Sequence, residues 1–357
     1  MNALSDVRAM LIESATRLFA DHVDAKLLDA AKRDGWSPTL WDIIEEAQLP
    51  LISIAEEAGG AGGSLSDLAA VLRIAGRFAA PIPLAETATA GWMLARCGLQ
   101  IASGPLAFGP VHGETVTAHQ HGTQWRLSGS MQRVPWARIA QRLVVLASGP
   151  EGAMVACVDP MQCKINAGRN LADEPRDDVV LDNVVVAGSL AAPAAADVSH
   201  AAIKLRGALV RSLLMAGALE RALELSARYA TERSQFGRKI GQFQAIQQEL
   251  ARFAGEVAAA VAAALSAAGA LERREDPLLA VASAKIRTAQ AAHEGALIAH
   301  QVHGAIGVTD EYALHHSTLR LWAWRDEFGN EAAWAAELGR AFAAAGADQL
   351  WPLLTKD

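Results

Sequence analysis

The sequence has few cysteines, only two tyrosines and no long, strongly apolar run. Its three cysteines, Cys97, Cys157 and Cys163, are odd in number and show no CxxC spacing. That excludes a disulfide framework and a cysteine-based zinc site, and predicts a reduced, cytoplasmic setting. No metal-binding set is expected from the histidines either, because His303 and the pair His315 and His316 lack ligand partners at useful spacing. Asp6, Arg8 and Glu13 interrupt the first twenty residues, so these do not read as a signal peptide. The longest uncharged stretch, 257–271, is mostly alanine and shorter than the roughly 20 apolar residues of a bilayer span. It reads as a helix packed closely against other helices, with no membrane partner. A basic excess is missing too: the net charge of −7 predicts no attraction to nucleic acid or anionic lipid.

What is present is ordinary for a soluble globular protein, with 52% hydrophobic and 20% charged residues. Three compositional zones predict three domains: helical over 1–100, β over 101–196 and helical again over 197–357. In the first, Ser64 and Asp67 form a capping box before an apolar helix, and the glycines of 59–63 require a loop. In the second, short β-branched runs separated by Gly, Pro, Asp and Asn predict a small antiparallel sheet or barrel, with 191–196 as a linker. In the third, Leu209, Leu213, Ala216, Leu219 and Leu223 form one apolar helix face. Phe243, Ile246, Leu250, Phe253 and Val257 form another. A third helix is expected over 277–303, after a charged hairpin at 272–276. Alanine-rich stripes on long helices predict a four-helix bundle that continues into oligomer contacts.

Two segments are more specific: RSQFGRKIGQFQAIQ at 233–247 and QVHGAIGVTDEY at 301–312. Both resemble signature stretches of the acyl-CoA dehydrogenase family, and AEEAGGAGGS at 55–64 is similar to a weaker N-terminal motif. The resemblance covers the chain and is strongest after residue 205. It implies an N-terminal helical domain, a middle β domain and a C-terminal four-helix bundle. It also implies FAD bound between subunits, with dehydrogenation of an acyl-CoA thioester between Cα and Cβ. A carboxylate takes the α proton while hydride leaves for the flavin, and an electron-transfer flavoprotein is the implied acceptor. Standing alone, Arg233 reads as a surface ion-pair partner; under the resemblance its guanidinium grips the cofactor pyrophosphate. Phe236 and Gln244 then contact the adenine end, and Gln301 and Gly304 contribute at the second motif.

The departures are as informative. By ungapped counting from Gly304, Phe328 takes the position where the family places its glutamate base. The alternative seat falls near Gly207, and no carboxylate lies between Ile203 and Leu219. Glu327, one residue early, is the only nearby substitute, although Arg325, Asp326 and Glu327 also read as a solvated charged turn. The middle domain lacks the family's threonine and acid in 105–110, and its lysine and threonine in 129–136. Trp136 there reads as a core residue. The retained matches are those that reach a neighbouring subunit's cofactor; the degraded ones hold a chain's own flavin ring. This resembles the smaller, catalytically degenerate subunits of heteromeric bacterial members, several of which act on steroid side chains. Three readings stay open at this point. The chain is a supporting subunit of a heterotetramer, a complete homo-oligomeric enzyme with Glu327 as displaced base, or a helical scaffold that has lost flavin.

Overall fold

The structure is a computed structural model and describes residues 3–273 and 276–355. Arg274 and Glu275 of the expected charged hairpin lie outside the described residues. Five helices come first: α1 (Ala3–His22), α2 (Ala25–Asp34), α3 (Pro38–Glu46), α4 (Leu65–Arg77) and α5 (Leu84–Arg96). The start of α4 is fixed by the expected box, in which Ser64 Oγ accepts from the Asp67 amide and the Asp67 carboxylate accepts from the Ser64 amide. Residues 59–63 form the expected loop.

Eight strands follow: β1 (Leu106–Gly109), β2 (Val116–His121), β3 (Gln124–Pro135), β4 (Arg142–Gly149), β5 (Gly152–Val158), β6 (Lys164–Asn166), β7 (Arg176–Ala187) and β8 (Ala191–Pro193). They form one sheet in the order β6-β7-β3-β2-β4-β5-β8, with β1 also on β4. The sheet is antiparallel except at β4, which runs parallel to both β1 and β2. The expected linker is therefore partly a strand, because Ala191–Pro193 pairs with β5 and closes that edge. Alternation along β4 splits the interior in two. Val144 and Leu146 point into a core shared with the helices, whereas Leu143, Val145 and Ala147 point into a second core on the other face. In β1, Phe108 pairs in register with Val144 and faces the helical core.

The rest is helical: α6 (His200–Glu232), a short hairpin of β9 (Ser234–Gln235) and β10 (Arg238–Lys239), then α7 (Gln244–Glu272), α8 (Pro277–His303), α9 (Leu314–Asp326), α10 (Glu331–Ala345) and α11 (Ala347–Leu354). The predicted stripes face inward: Leu209, Leu213, Ala216 and Leu219 are buried on α6, and Phe253 and Val257 on α7. As a continuous helix, α7 is long and apolar enough to cross a bilayer, which the shorter uncharged run 257–271 had excluded. Ala260, Ala264 and Ala267 are nevertheless buried within the bundle, and Arg252 and Arg287 tie α7 to α8 through Glu294 and Glu256.

Candidate functional site: a sealed cleft and an exposed bundle end

The sequence motifs fall at two separate places. One is the seam where α5, α6, the start of β7 and the turn after α9 meet. There the two positions at which the resemblance would seat a base lie against each other. The Phe328 ring packs directly on Gly207, where even a methyl group would overlap it. The ring also stacks on Phe108 at 6.0 Å and lies 5.6 Å beneath the Arg211 guanidinium. Phe328 holds φ +57, a costly conformation for a bulky side chain. It is fixed by this packing and by Trp334 Nε1, which donates to the Phe328 carbonyl at 3.0 Å.

Glu327 is not part of a solvated turn. Asp326 is exposed and Arg325 pairs with Glu331, but the Glu327 side chain is only 12% exposed. Arg176 Nε donates to its Oε1 at 2.7 Å and Arg211 Nε to its Oε2 at 2.5 Å. Burial alone would raise its pKa. The two guanidiniums override that and hold the carboxyl far below the ordinary 4.5. Arg211 continues to Glu86, and Arg176 to Glu174 at 3.0 Å. Glu174 in turn receives Trp324 Nε1 at 2.9 Å and lies 3.2 Å from Arg320. Three carboxylates thus face three guanidiniums in a buried network joining the N-terminal helices, the sheet and the bundle.

Sequence reasoning missed this network because its members spread from Glu86 to Glu327. One signal was available: Arg211 interrupts an otherwise apolar α6 face, and a lone arginine there demands a buried counter-charge. Lys285 was missed in the same way. It is fully buried and donates to the carbonyls of Trp324 at 2.8 Å and Arg325 at 2.7 Å, closing the end of α9 just before Glu327. Burial pushes its pKa down to about 7, with Glu327 opposing. Between pH 7 and the ordinary 10.5 the unfolded chain therefore holds a proton that the folded chain has released. Stability from this group rises with pH across that window and is flat below it. Lys285→Met should remove this slope and orphan two carbonyls, at a cost of about 1–3 kcal/mol each. Urea unfolding of both proteins at pH 7 and pH 9.5 checks the prediction.

Against the network lies a cavity of about 220 Å³ bordered by His112, Arg133, Pro135, Arg176, Glu327 and Phe328. Deeper in, around Arg211, Trp136 and Leu214, only about 10 Å³ is free. Trp136 itself is a core residue, as expected.

The other place is one end of the bundle, where α6 and α8 finish and α7 begins. Tyr229, His303 and Tyr312 stack there, with centroids 4.6 Å apart for Tyr229–His303 and 4.8 Å for His303–Tyr312. This clamp brings Arg233, Gln244, Gln301 and Gly304 to the same end. All four are exposed. Among the described residues, no carboxylate pairs with Arg233. Phe236 is 92% exposed at the tip of the β9–β10 hairpin, edge-on to Phe243, whose ring also carries the Arg238 guanidinium at 4.1 Å. Gly304 has φ +63 with open space where a side chain would sit. His303, His315 and His316 are buried and contact their neighbours, and no cluster of three or more potential metal ligands occurs among the described residues.

This fold and these two motifs have counterparts. The acyl-CoA dehydrogenase C-terminal domain matches residues 206–326, and the N-terminal domain of the same family matches residues 5–100. The chain belongs to the acyl-CoA dehydrogenase family. It is 30% identical over 324 residues to the acyl-CoA dehydrogenase IpdE2 of Mycobacterium tuberculosis, covering 86% of this chain and 88% of that protein. With the acyl-CoA dehydrogenase FadE27 of the same organism it shares 28% over 345 residues, covering 85% and 88%. Among solved structures, the ChsE4-ChsE5 complex of M. tuberculosis superposes with TM-score 0.88 at 23% identity, covering 97% of this chain and 99% of that one. The Tcur3481-Tcur3483 steroid acyl-CoA dehydrogenase variant gives 0.86 at 27%, covering 96% and 100%.

The family's cofactor is FAD, and the two places suit it unequally. The cleft on which the resemblance places the chain's own flavin ring does not fit it. Its 220 Å³ is below the ~300–1,000 Å³ usual for small-molecule sites, and its interior is filled by Phe328 and the ion network. The bundle end carries groups that suit a dinucleotide: a guanidinium without a carboxylate partner among the described residues, an exposed aromatic face and a backbone position free of side-chain bulk.

Proposed function

We propose that this chain is the supporting subunit of a heteromeric acyl-CoA dehydrogenase. Its bundle end completes the FAD site of a homologous catalytic chain. The observation that carries this reading is the separation of the sealed cleft from the open bundle end. Arg211 lies on α6 and Arg233, 22 residues on, caps its C-terminus, about 33 Å away at the usual rise. One dinucleotide does not reach from one to the other, so the open end serves a cofactor whose ring lies in another chain.

FAD, when bound, supplies the acceptor for hydride from the acyl-CoA β carbon. This chain's own contribution is to bind and orient. Arg233 would pair with the pyrophosphate, Phe236 would pack against the adenine, and Gln244 and Gln301 would offer amide hydrogen bonds. Gly304 admits the ligand close to the backbone. The partner supplies the base and the ring cleft, because here Glu327 has both oxygens committed to arginines and holds too low a pKa for proton abstraction near neutrality. The Tcur3481-Tcur3483 steroid acyl-CoA dehydrogenase among the structural neighbours pairs two different proteins, which supports a heteromer. It also makes a bulky acyl-CoA thioester of the steroid side-chain type our preferred substrate class. An electron-transfer flavoprotein is the acceptor that the family resemblance implies, and the cysteine usage supports a cytoplasmic setting.

The visible spectrum of the purified chain tests this. Alone it should be colourless and unresponsive to acyl-CoA thioesters added anaerobically; co-expressed with a homologous catalytic chain, the complex should be yellow and bleach. A yellow chain that bleaches alone would instead be a complete enzyme, and a complex without flavin would leave the scaffold.

A further inference from the structure

A second cavity, of about 480 Å³, opens where the end of α5, the start of α6, the last turn of α7 and the first turn of α8 converge. That volume is in the range of sites for small organic ligands, about 300–1,000 Å³. Its walls are mainly apolar, from Trp92, Leu205, Leu271 and Pro277, and two arginines reach it. Arg96 is committed to Asp197 at 2.8 Å. Arg206 is not committed. Its guanidinium lies 4.0 Å from the Trp92 ring centroid, and no oxygen among the described residues accepts a hydrogen bond from it.

We propose that this cavity is a binding site for an amphipathic monocarboxylate, a single carboxylate on a ring or branched apolar body. A guanidinium with one face on an indole keeps its in-plane donors available, and a planar carboxylate matches that fork with two parallel hydrogen bonds. Burial pushes the Arg206 pKa down to about 10, with Asp197 only partly opposing. An incoming anion would restore what the charge lost on leaving water. The α6 N-terminus adds the positive end of its dipole here, already ordered by Ser199 Oγ accepting from the Ala202 amide. Asp197 is offset by Arg96, and Asp276 caps α8 by accepting from the Leu278 amide. Among the described residues Arg206 is thus the cation in the cavity wall without a carboxylate partner, which suits a monoanion, and the apolar walls suit its body. The site is separate from the sealed cleft, because on α6 Arg206 is turned about 100° from Gly207, which faces Phe328. It therefore stands whether or not the chain is a supporting subunit.

Calorimetric titration of the full-length chain with 2-naphthoate, cyclohexanecarboxylate and neutral 2-naphthamide tests the site. Saturable binding of the carboxylates, with the amide at least tenfold weaker, is the expected result. Arg206→Met should weaken naphthoate at least tenfold without changing naphthamide. Arg206→Lys, which keeps the charge and loses the fork, should fall between. If Arg206→Met does not fold, the acid-to-amide ratio on the native chain still decides. Absence of saturable carboxylate binding, equal affinity for acid and amide, or a folded Arg206→Met chain that binds naphthoate normally would each overturn the proposal.

Discussion

Glu327→Gln should lower the unfolding free energy by about 3–5 kcal/mol, the usual cost of removing one partner from a buried ion pair. The carboxylate joins Arg176 and Arg211, whose other carboxylate partners are Glu174 and Glu86, and neither arginine has solvent to turn to. Gln retains the shape but leaves three buried guanidiniums facing two carboxylates, Glu86 and Glu174. The pH dependence should change as well. Because the folded pKa of Glu327 is held below its ordinary 4.5, its stabilisation is present above that value and lost as pH falls through the acid range. The variant should therefore lose part of the acid sensitivity of the native chain, as denaturant midpoints between pH 3 and pH 7 would reveal. Catalysis separates this account from the displaced-base reading. In a complex that still assembles, flavin reduction per bound flavin should be unchanged by Glu327→Gln. Loss of reduction with flavin retained would make Glu327 the base.

Arg233→Ala should act in the opposite way, on the cofactor and not on the fold. Arg233 is exposed and has no carboxylate partner among the described residues, so its removal should leave thermal stability of the chain near native. A charge-assisted hydrogen bond to phosphate contributes roughly 1.5–3 kcal/mol, which corresponds to FAD affinity in the complex falling about ten- to a hundred-fold. Flavin retention after dialysis of the co-purified complex reads this directly. Unchanged retention would mean that the bundle end does not reach the cofactor.

The contrast between these variants reflects what the sequence could and could not reveal. The helical stripes were legible because Leu209, Leu213 and Leu219 repeat at helical spacing, and the capping box at Ser64 because it is complete within four residues. The five residues proposed to contact the cofactor lie in two contiguous motifs, so their clustering needed only three helix ends to meet. The parallel pairing of β1 with β4 was not legible, since it depends on a crossover between Gly109 and Arg142. Nor was the role of Glu327. Read locally, Arg325, Asp326 and Glu327 are three charges before a glycine turn, and nothing nearby reveals that Glu327 turns inward. Its partners come from the start of β7 and the middle of α6. The substitution of Phe at 328 was visible, but not that its ring fills the space above Gly207. Local motifs thus carried the contacts offered outward, whereas the sealing of the cleft is a long-range property of packing.

The central claim is that each pair formed by this chain and a catalytic partner contains one complete flavin site. The most direct measurement is the ratio of FAD to polypeptide in the purified complex, from flavin absorbance after denaturation and quantitative amino-acid analysis. This account predicts one FAD for every two chains, because the reciprocal site would need this chain's sealed cleft. One FAD per chain would show that the cleft opens to hold its own flavin, and would contradict it.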